Sequence, residues 1–398
     1  MSTPTIFTSG LEGKSDLIAT YEPAAPFEVV VESSVKKLFG RHIRERAEQT
    51  LQEFKVNKGR LVIKDDGALD FIIAARIEAV LRKAGVAKAP PFKPIDRTPA
   101  EKDRLRRSRL YLPGNQPDLM LNAGLFGADS LILDLEDSVA PDQKVDARIL
   151  VRRILGEAHR LFPGTELIVR VNPLSGPFGY EDLREIVPAL PHLLLLPKCD
   201  TDHDIKEADR EVTAIEREFG LQGRILFMPL IETVKGVVNA QAIAQASGRN
   251  VALCFGAEDF TRDLGVPRTR DGKETLAARS QIVYAAKVAG IQAIDTVFAD
   301  VGDDQGLLAS SLEAKSLGFV GKGVIHPRQI PIVHQAFAPT AAEIEEARKI
   351  VEAMQRAVET GAGVVSLGTK MVDAPVAERA RKVIALAKQL GLPGVEGL

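Results

Sequence analysis

The sequence predicts an α/β chain: a TIM (β/α)8 barrel with a C-terminal helical appendix, preceded by a small α+β domain. Three observations predict it. Eight short apolar runs recur between residues 110 and 325, each followed by a helical pattern. A stretch with four prolines (Pro90, Pro91, Pro94 and Pro99) breaks the chain near its first quarter, as an extended, semi-rigid linker does. After residue 335 the pattern becomes helical.

Residues 1–87 form the front domain. Phe27-Glu28-Val29-Val30-Val31 reads as a strand. Val35, Leu38, Ile43, Ala47, Leu51 and Phe54 then recur at roughly helical spacing, with Ser33-Ser34 as candidate caps. Leu61-Val62-Ile63 is a second strand, ended by Asp65-Asp66-Gly67, and Ala68 to Lys83 is an apolar-rich helix carrying Arg76 and Glu78 on one side. The linker spans 88–103 and the barrel 104–335. The barrel runs are Leu110–Leu112, Ser130–Leu135, Leu167–Val171, Leu193–Leu196, Ile225–Ile231, Val251–Phe255, Ala293–Val297 and Gly323–Ile325. Continuously apolar runs of this length suit parallel strands buried on both faces. A doubly wound open sheet is the competing reading, but no dinucleotide-type glycine fingerprint follows the first run. The appendix, 336–398, reads as helices Ala341–Thr360 and Pro375–Leu390, joined by Gly361-Ala362-Gly363 and a short apolar stretch.

Composition narrows the function classes. The 398 residues are 45% hydrophobic and 27% charged, as in a soluble globular enzyme. A net charge of -2 implies no nucleic-acid partner, and Arg104-Leu105-Arg106-Arg107 reads as solvated linker. Cys199 and Cys254 end apolar runs, which suits buried thiols in a reducing cytoplasm and argues against a disulfide framework. No zinc-type ligand cluster occurs. The start, MSTPTIFTSG, is not a secretory signal and no run is long enough to span a bilayer, so a cytoplasmic protein without a membrane partner is expected.

In such a barrel, the chemistry sits where strands end at their C-terminal side. Asp134, Glu136 and Asp137 follow one run, Arg170 and Asn172 end the next, and Lys198 follows the four leucines. Glu232, the pair Glu258 and Asp259, and His326 follow three others. Glu232 and Asp259, on different strands, suit a hard divalent cation such as magnesium, with Asp134, Glu136 and Asp137 holding metal-bound waters behind them. Any one of these carboxylates alone reads equally well as an ordinary loop acid. Arg170 suits a carboxylate clamp or the stabilisation of an enolate, against a structural ion pair at the barrel mouth. Lys198 is compatible with an imine, but the available metal ligands favour a metal-dependent reaction. His326 reads as a satisfied histidine.

These same residues carry a resemblance. Residues 105–390 resemble the citrate lyase β subunit of the HpcH/HpaI aldolase and malyl-CoA lyase superfamily. The motifs are Arg107-Ser108-Arg109-Leu110-Tyr111-Leu112-Pro113-Gly114-Asn115, Leu133-Asp134-Leu135-Glu136-Asp137-Ser138-Val139 and Val169-Arg170-Val171-Asn172. Leu196-Pro197-Lys198, Leu230-Ile231-Glu232-Thr233, Gly256-Ala257-Glu258-Asp259, Ile325-His326-Pro327 and Lys370-Met371-Val372-Asp373-Ala374-Pro375-Val376 continue them. The resemblance implies a Mg2+-dependent carbon–carbon lyase with Glu232 and Asp259 as metal ligands. It gives Arg170 a role in substrate binding and enolate stabilisation, with Arg107 and Lys198 also on substrate. It makes Asp373 a catalytic residue in a neighbouring subunit, hence a homo-oligomer, a trimer or hexamer. Without the resemblance, Asp373 reads as an acid at a helix N-terminus ahead of Pro375.

Residues 9–85 resemble the citrate lyase γ subunit, a small acyl carrier protein. The match rests on Glu32-Ser33-Ser34-Val35-Lys36-Lys37-Leu38-Phe39-Gly40, Asp65-Asp66-Gly67-Ala68-Leu69-Asp70 and Ala75-Arg76-Ile77-Glu78-Ala79. It implies phosphoribosyl-dephospho-coenzyme A on a serine. One departure matters: in Gly10-Leu11-Glu12-Gly13-Lys14-Ser15-Asp16-Leu17 the usual site falls on Lys14, and Ser15 beside Asp16 is the candidate. The implied reaction is cleavage of a citryl thioester to oxaloacetate and an acetyl thioester. The implied partners are an acyl transferase (α) subunit and a prosthetic-group transferase. The alternatives are a lyase for free malyl-, citramalyl- or citryl-CoA with a vestigial or docking front domain, and a non-enzymatic scaffold for an acyl transferase.

Overall fold

The computed structural model describes residues 5–88, 97–221, 223, 225–359, 363–368 and 370–395. The linker prolines 90, 91 and 94 and the Gly361-Ala362 joint fall outside the described residues. The chain divides into two compact units, residues 1–330 and 331–398.

The front of the first unit is a four-stranded sheet carrying two helices. Its elements are β1 (Phe7–Ser9), β2 (Leu17–Glu22), β3 (Glu28–Ser33), α1 (Lys36–Glu53), β4 (Arg60–Asp65) and α2 (Asp70–Lys83). The strand order is β1-β2-β4-β3, with β3 parallel to β4 and the other pairs antiparallel. Leu17, Ala19 and Tyr21 alternate inward along β2 and meet Leu61 and Ile63 of β4 beneath Ile43, Ala47 and Leu51 of α1. Burying each such leucine or isoleucine stabilises the fold by about 1.5–3 kcal/mol. Ser33 and Ser34 do not cap α1 by side-chain bonds to its first turn, because Ser33 Oγ donates to Asp65 Oδ2 (2.6 Å) and Ser34 Oγ to Asp66 Oδ1 (2.5 Å). They tie β3 to the end of β4 instead.

Eight parallel strands then close a barrel in sequence order. They are β5 (Ser108–Pro113), β6 (Ser130–Asp134), β7 (Glu166–Arg170), β8 (Leu193–Leu196), β9 (Leu226–Ile231), β10 (Ala252–Phe255), β11 (Gln292–Asp295) and β12 (Gly321–Val324), with β12 pairing back onto β5. The helices around them are α3 (Pro117–Leu121), α4 (Lys144–Gly156), α5 (Ala158–Leu161), α6 (Gly179–Ile186), α7 (Asp202–Glu218), α8 (Val234–Val238), α9 (Ala240–Gln245), α10 (Ala257–Leu264), α11 (Lys273–Ala289) and α12 (Asp304–Leu317). Each of the eight apolar runs read from the sequence overlaps one of these strands. Ile132, Ile168, Leu193, Leu195, Met228 and Ile294 fill the interior. One reading is corrected at the barrel floor: Arg106 is not solvated linker but fully buried, donating to both oxygens of Glu166 (2.9 and 2.7 Å).

α13 (Gln329–Phe337) leads into the second unit, which holds α14 (Ala341–Glu359), an antiparallel hairpin of β13 (Val365–Leu367) and β14 (Lys370–Val372), and α15 (Ala374–Gln389). Small side chains let α14 and α15 approach closely, with Ala347, Ala380 and Ile384 in one cluster and Met354, Val372 and Ala377 in another. Among the described residues no helix is long and apolar enough to cross a membrane.

Candidate active site

The C-terminal ends of the barrel strands enclose a cavity of about 470 Å3. Asp134, Asp137, Arg170, Glu232 and Asp259, all expected from the sequence, line it. Arg170 ends β7 and lies across Asp134, which ends β6. Its Nε and Nη2 donate to Asp134 Oδ1 and Oδ2 (2.6 and 2.7 Å), and its Nη1 reaches Glu136 (2.9 Å). The pairing is bidentate, which fixes the plane of the guanidinium as well as its position. Burial works against the Asp134 carboxylate. The Arg170 contact, Ser138 and the Glu136 N–H outweigh it and hold the group below the usual carboxylate range.

Lys198 follows β8 in a left-handed conformation (φ 52°), which costs a residue with a Cβ about 1–2 kcal/mol. The strained turn aims its N–H at Glu232 Oε1 (2.8 Å), while its Nζ lies 2.5 Å from Glu136 and 4.0 Å from Asp259. Glu232 follows β9, and Gly256, just beyond β10, makes room for it: a Cβ there would fall 2.7 Å from Glu232 Oε2. Burial first, then the neighbouring Glu136 and Asp259, push the Glu232 carboxyl up to about 8. Burial likewise raises Glu136.

Among the described residues, five carboxylates (Asp134, Glu136, Asp137, Glu232 and Asp259) therefore share ion pairs with Arg170, Lys198 and, at Asp259 alone, the exposed Arg262, while the nearby buried Arg109 and Lys144 form no ion pair with any of them. The surplus is negative, oxygen-rich and concentrated at Glu232 and Asp259, on neighbouring strand ends. A hard divalent cation fits that donor set, and its charge would relieve the repulsion that raises Glu232. Glu258, beside Asp259, is instead held by Arg268.

Other expected residues lie elsewhere. Arg107 precedes β5, at the opposite end of the barrel, and its Nε and Nη2 are bound by Asp129 (2.9 and 2.8 Å). A substrate contact for Arg107 is corrected on this ground: the rule that selects residues after strands excludes a residue before one. Asn172 is buried, accepting from Lys144 Nζ (2.9 Å) and donating to Asp182, so it props the loop behind Glu136. His326 Nδ1 accepts the Arg328 N–H. Asp373, in the second unit, is the N-cap of α15 and accepts from Val376 N (3.1 Å). Ser15, in the front domain, has φ 60° and donates its N–H to Asp66 O (2.9 Å).

Two lining residues were missed. Tyr111 points inward from β5 with the Arg170 guanidinium 5.3 Å from its ring centroid. Burial raises its pKa, with Arg109 and Arg170 pulling the other way. Arg109 is fully buried below it, and Nη1 meets Cys254 Sγ at 2.9 Å and Met228 Sδ at 3.8 Å. The available signal was a charged residue directly ahead of an apolar run, at a position two residues from Tyr111 and so on the same strand face.

The family of the chain follows from comparison with known proteins. Residues 107–327 match the HpcH/HpaI aldolase/citrate lyase family, and residues 6–84 match the acyl carrier family of the malonate decarboxylase delta subunit. The chain is 42% identical to the citrate lyase subunit beta of Haemophilus influenzae over 286 residues, 72% of this chain and 98% of that one. It is 33% identical to the mitochondrial citramalyl-CoA lyase of Mus musculus over 72% of this chain and 87% of the relative. Among solved structures, it is similar to a citrate lyase beta subunit from Mycobacterium tuberculosis complexed with oxaloacetate and magnesium (31% identity, 60% of this chain and 99% of that one, TM-score 0.51). The CitE protein of the same organism, in complex with magnesium, acetoacetate and coenzyme A, covers 72% of this chain and 100% of its own at 30% identity and a TM-score of 0.61. A lyase barrel fused behind a carrier-type domain is thus the class defined here. The chain belongs to the HpcH/HpaI aldolase/citrate lyase family, and it is a carbon–carbon lyase.

Proposed function

We propose that this chain cleaves a citryl thioester, carried on its own front domain, to oxaloacetate and an acetyl thioester. The observation that supports it most is the surplus of carboxylate at Glu232 and Asp259 beside an Arg170 already oriented by Asp134. Magnesium held by Glu232 and Asp259 would supply Lewis-acid polarisation of the substrate hydroxyl and its neighbouring carboxylate. Asp134, Glu136 and Asp137 would orient waters around it. Asp373 of a neighbouring chain takes the hydroxyl proton, which requires a homo-oligomer, a trimer or hexamer. The carbon–carbon bond then breaks. Arg170, assisted by Lys198, holds the charge that develops on the thioester oxygen until the enolate carbon is protonated. The thioester matters because its enolate is far more accessible than that of a free carboxylate.

The proposal assigns 1–87 to the carrier, 88–103 to the linker, 104–335 to the lyase and 336–398 to the inter-subunit appendix. It places phosphoribosyl-dephospho-coenzyme A on Ser15. An acyl transferase subunit and a prosthetic-group transferase complete the cycle, in the cytoplasm. The intact mass of protein from a native host tests the carrier half: a large adduct on the Ser15 peptide is expected. An unmodified Ser15 with full turnover of free citryl-, malyl- or citramalyl-CoA would replace this reading with that of a coenzyme A thioester lyase.

A further inference from the structure

The front domain is seated on the barrel by contacts that a freely swinging carrier has no use for. α2 is buried all round. Ile73, Ile77, Val80 and Leu81 form the core of the front domain, while Ile72, Ala75, Arg76 and Ala79, on its other face, are equally inaccessible against α4 of the barrel. Alanines at i and i+4 let the two helices come close. At the end of this seam Glu78, fully buried, takes Arg82 and Arg152 (both 2.5 Å) and Arg153 (2.6 Å), and Arg82 and Arg152 both bind Glu185 of α6 (2.8 and 2.5 Å). Lifting the front domain away would return this apolar face to water and strip Glu78 of two of its three partners.

The seam continues into the loop that carries Ser15. Gly10 N donates to Asp146 Oδ2 (3.1 Å), whose other oxygen holds Lys83 Nζ (2.6 Å). Asp16 is bound by Arg76 through Nε and Nη2 (2.9 and 2.7 Å), and the same Nη2 donates to the Asn115 carbonyl (2.8 Å). Asn115 lies just beyond β5, and Asp146 lies in the first turn of the helix after β6, so both stand at the end of the barrel that carries the active site, on the rim around its cavity and not in its lining. Two residues before Asp146, Lys144 Nζ donates to the carbonyls of Leu135 and Glu136. The loop itself is closed: Ser15 N is bonded to Asp66 O, and Gly10 adopts φ 95° where a Cβ would fall 1.9 Å from Leu17 O. From Ser15, one peptide bond leads to Asp16, and Arg76 links Asp16 directly to the rim.

We infer that the carrier serves its own barrel: the Ser15 loop is a fixed part of that barrel's rim, and the acyl group is presented in cis by motion of the prosthetic arm, with the carrier domain staying docked. The inference rests on the reading of Ser15 as the attachment site. Tethering at the rim gives the acyl group an effective concentration that a carrier on another chain cannot match.

The test is complementation between two inactive chains. Ser15→Ala has a competent barrel and no arm. Asp259→Ala has an arm and no competent barrel. The two are co-expressed with different tags together with the prosthetic-group transferase, and the mixed assembly is isolated through both. Presentation in cis predicts turnover below about one-twentieth of wild type, the level expected when the local concentration advantage is lost. Turnover near half of wild type would overturn it, since arms would then be serving neighbouring barrels. Intact masses separate the two failures: wild type without an adduct ends the carrier reading, and the inference with it, whereas a loaded Asp259→Ala chain that rescues its partner ends the inference alone. A protease site inserted between Lys88 and Arg97 gives an independent measure. After cleavage the front domain should still co-elute with the barrel, and its separation would refute the docked seam.

Discussion

The two ends of the barrel are both crowded with charge, and they treat it differently. At the floor, charges close on each other: Arg106 with Glu166, both fully buried, and Arg107 with Asp129. At the mouth, Arg170 and Lys198 cannot satisfy five carboxylates, and Glu232 sits buried with a single backbone N–H as its hydrogen-bond donor among the described residues. The difference teaches that the mark of a reaction centre is imbalance, not the number of charged side chains. A matched pair is structure, and an unmatched surplus is poised for a ligand of opposite sign.

The sharpest way to break the comparison is at the mouth. Asp259→Ala should abolish metal-dependent cleavage, with kcat/KM down by about 10^3-fold or more and magnesium binding lost in calorimetry. Wild-type turnover persisting in excess chelator would sink the metal scheme. Next comes the floor: Glu166→Ala strands the Arg106 charge and should cost about 3–5 kcal/mol of stability in denaturant unfolding, with kcat per folded molecule unchanged. A large kcat loss there would show that the floor is not merely structural. Arg170→Lys keeps the charge and loses the bidentate geometry, so kcat should fall about 100-fold with stability nearly intact.

The smallest effect concerns pH. His192, just before β8, accepts the Leu167 N–H, and burial, then Arg97, Arg104 and Arg106, lower its pKa to about 4. Its folded value lies below the unfolded one, near 6.5, so the unfolded chain takes the proton first. Stability should be full above pH ~6.5 and fall by on the order of 2–3 kcal/mol as pH drops towards 4. His192→Gln should flatten that slope in urea midpoints measured across the range, and an unchanged slope would assign it to other groups.

The strands were legible because parallel strands in a closed barrel are buried on both faces, so each reads as one apolar run. Legible with them was the residue that follows each run, which gave Asp134, Lys198, Glu232 and Asp259 their places at one mouth. The rest depended on partners far away in sequence. β1 and β2 are short or alternate with polar residues, and only their pairing makes them strands. Arg106 looked solvated because Glu166, its partner, lies sixty positions on. Arg76 and Glu78 stood out as charges on an apolar helix, yet nothing local said that they meet Asn115, Arg152 and Arg153 of another domain.

Gly256 has no functional group, and in saturation mutagenesis it should nonetheless behave like a member of the reaction centre. Any side chain at that point collides with Glu232, so the tolerated alphabet shrinks to one letter. Its contribution is vacancy: an engineer retuning the mouth for a bulkier acid must work at the other lining positions and leave that hollow alone.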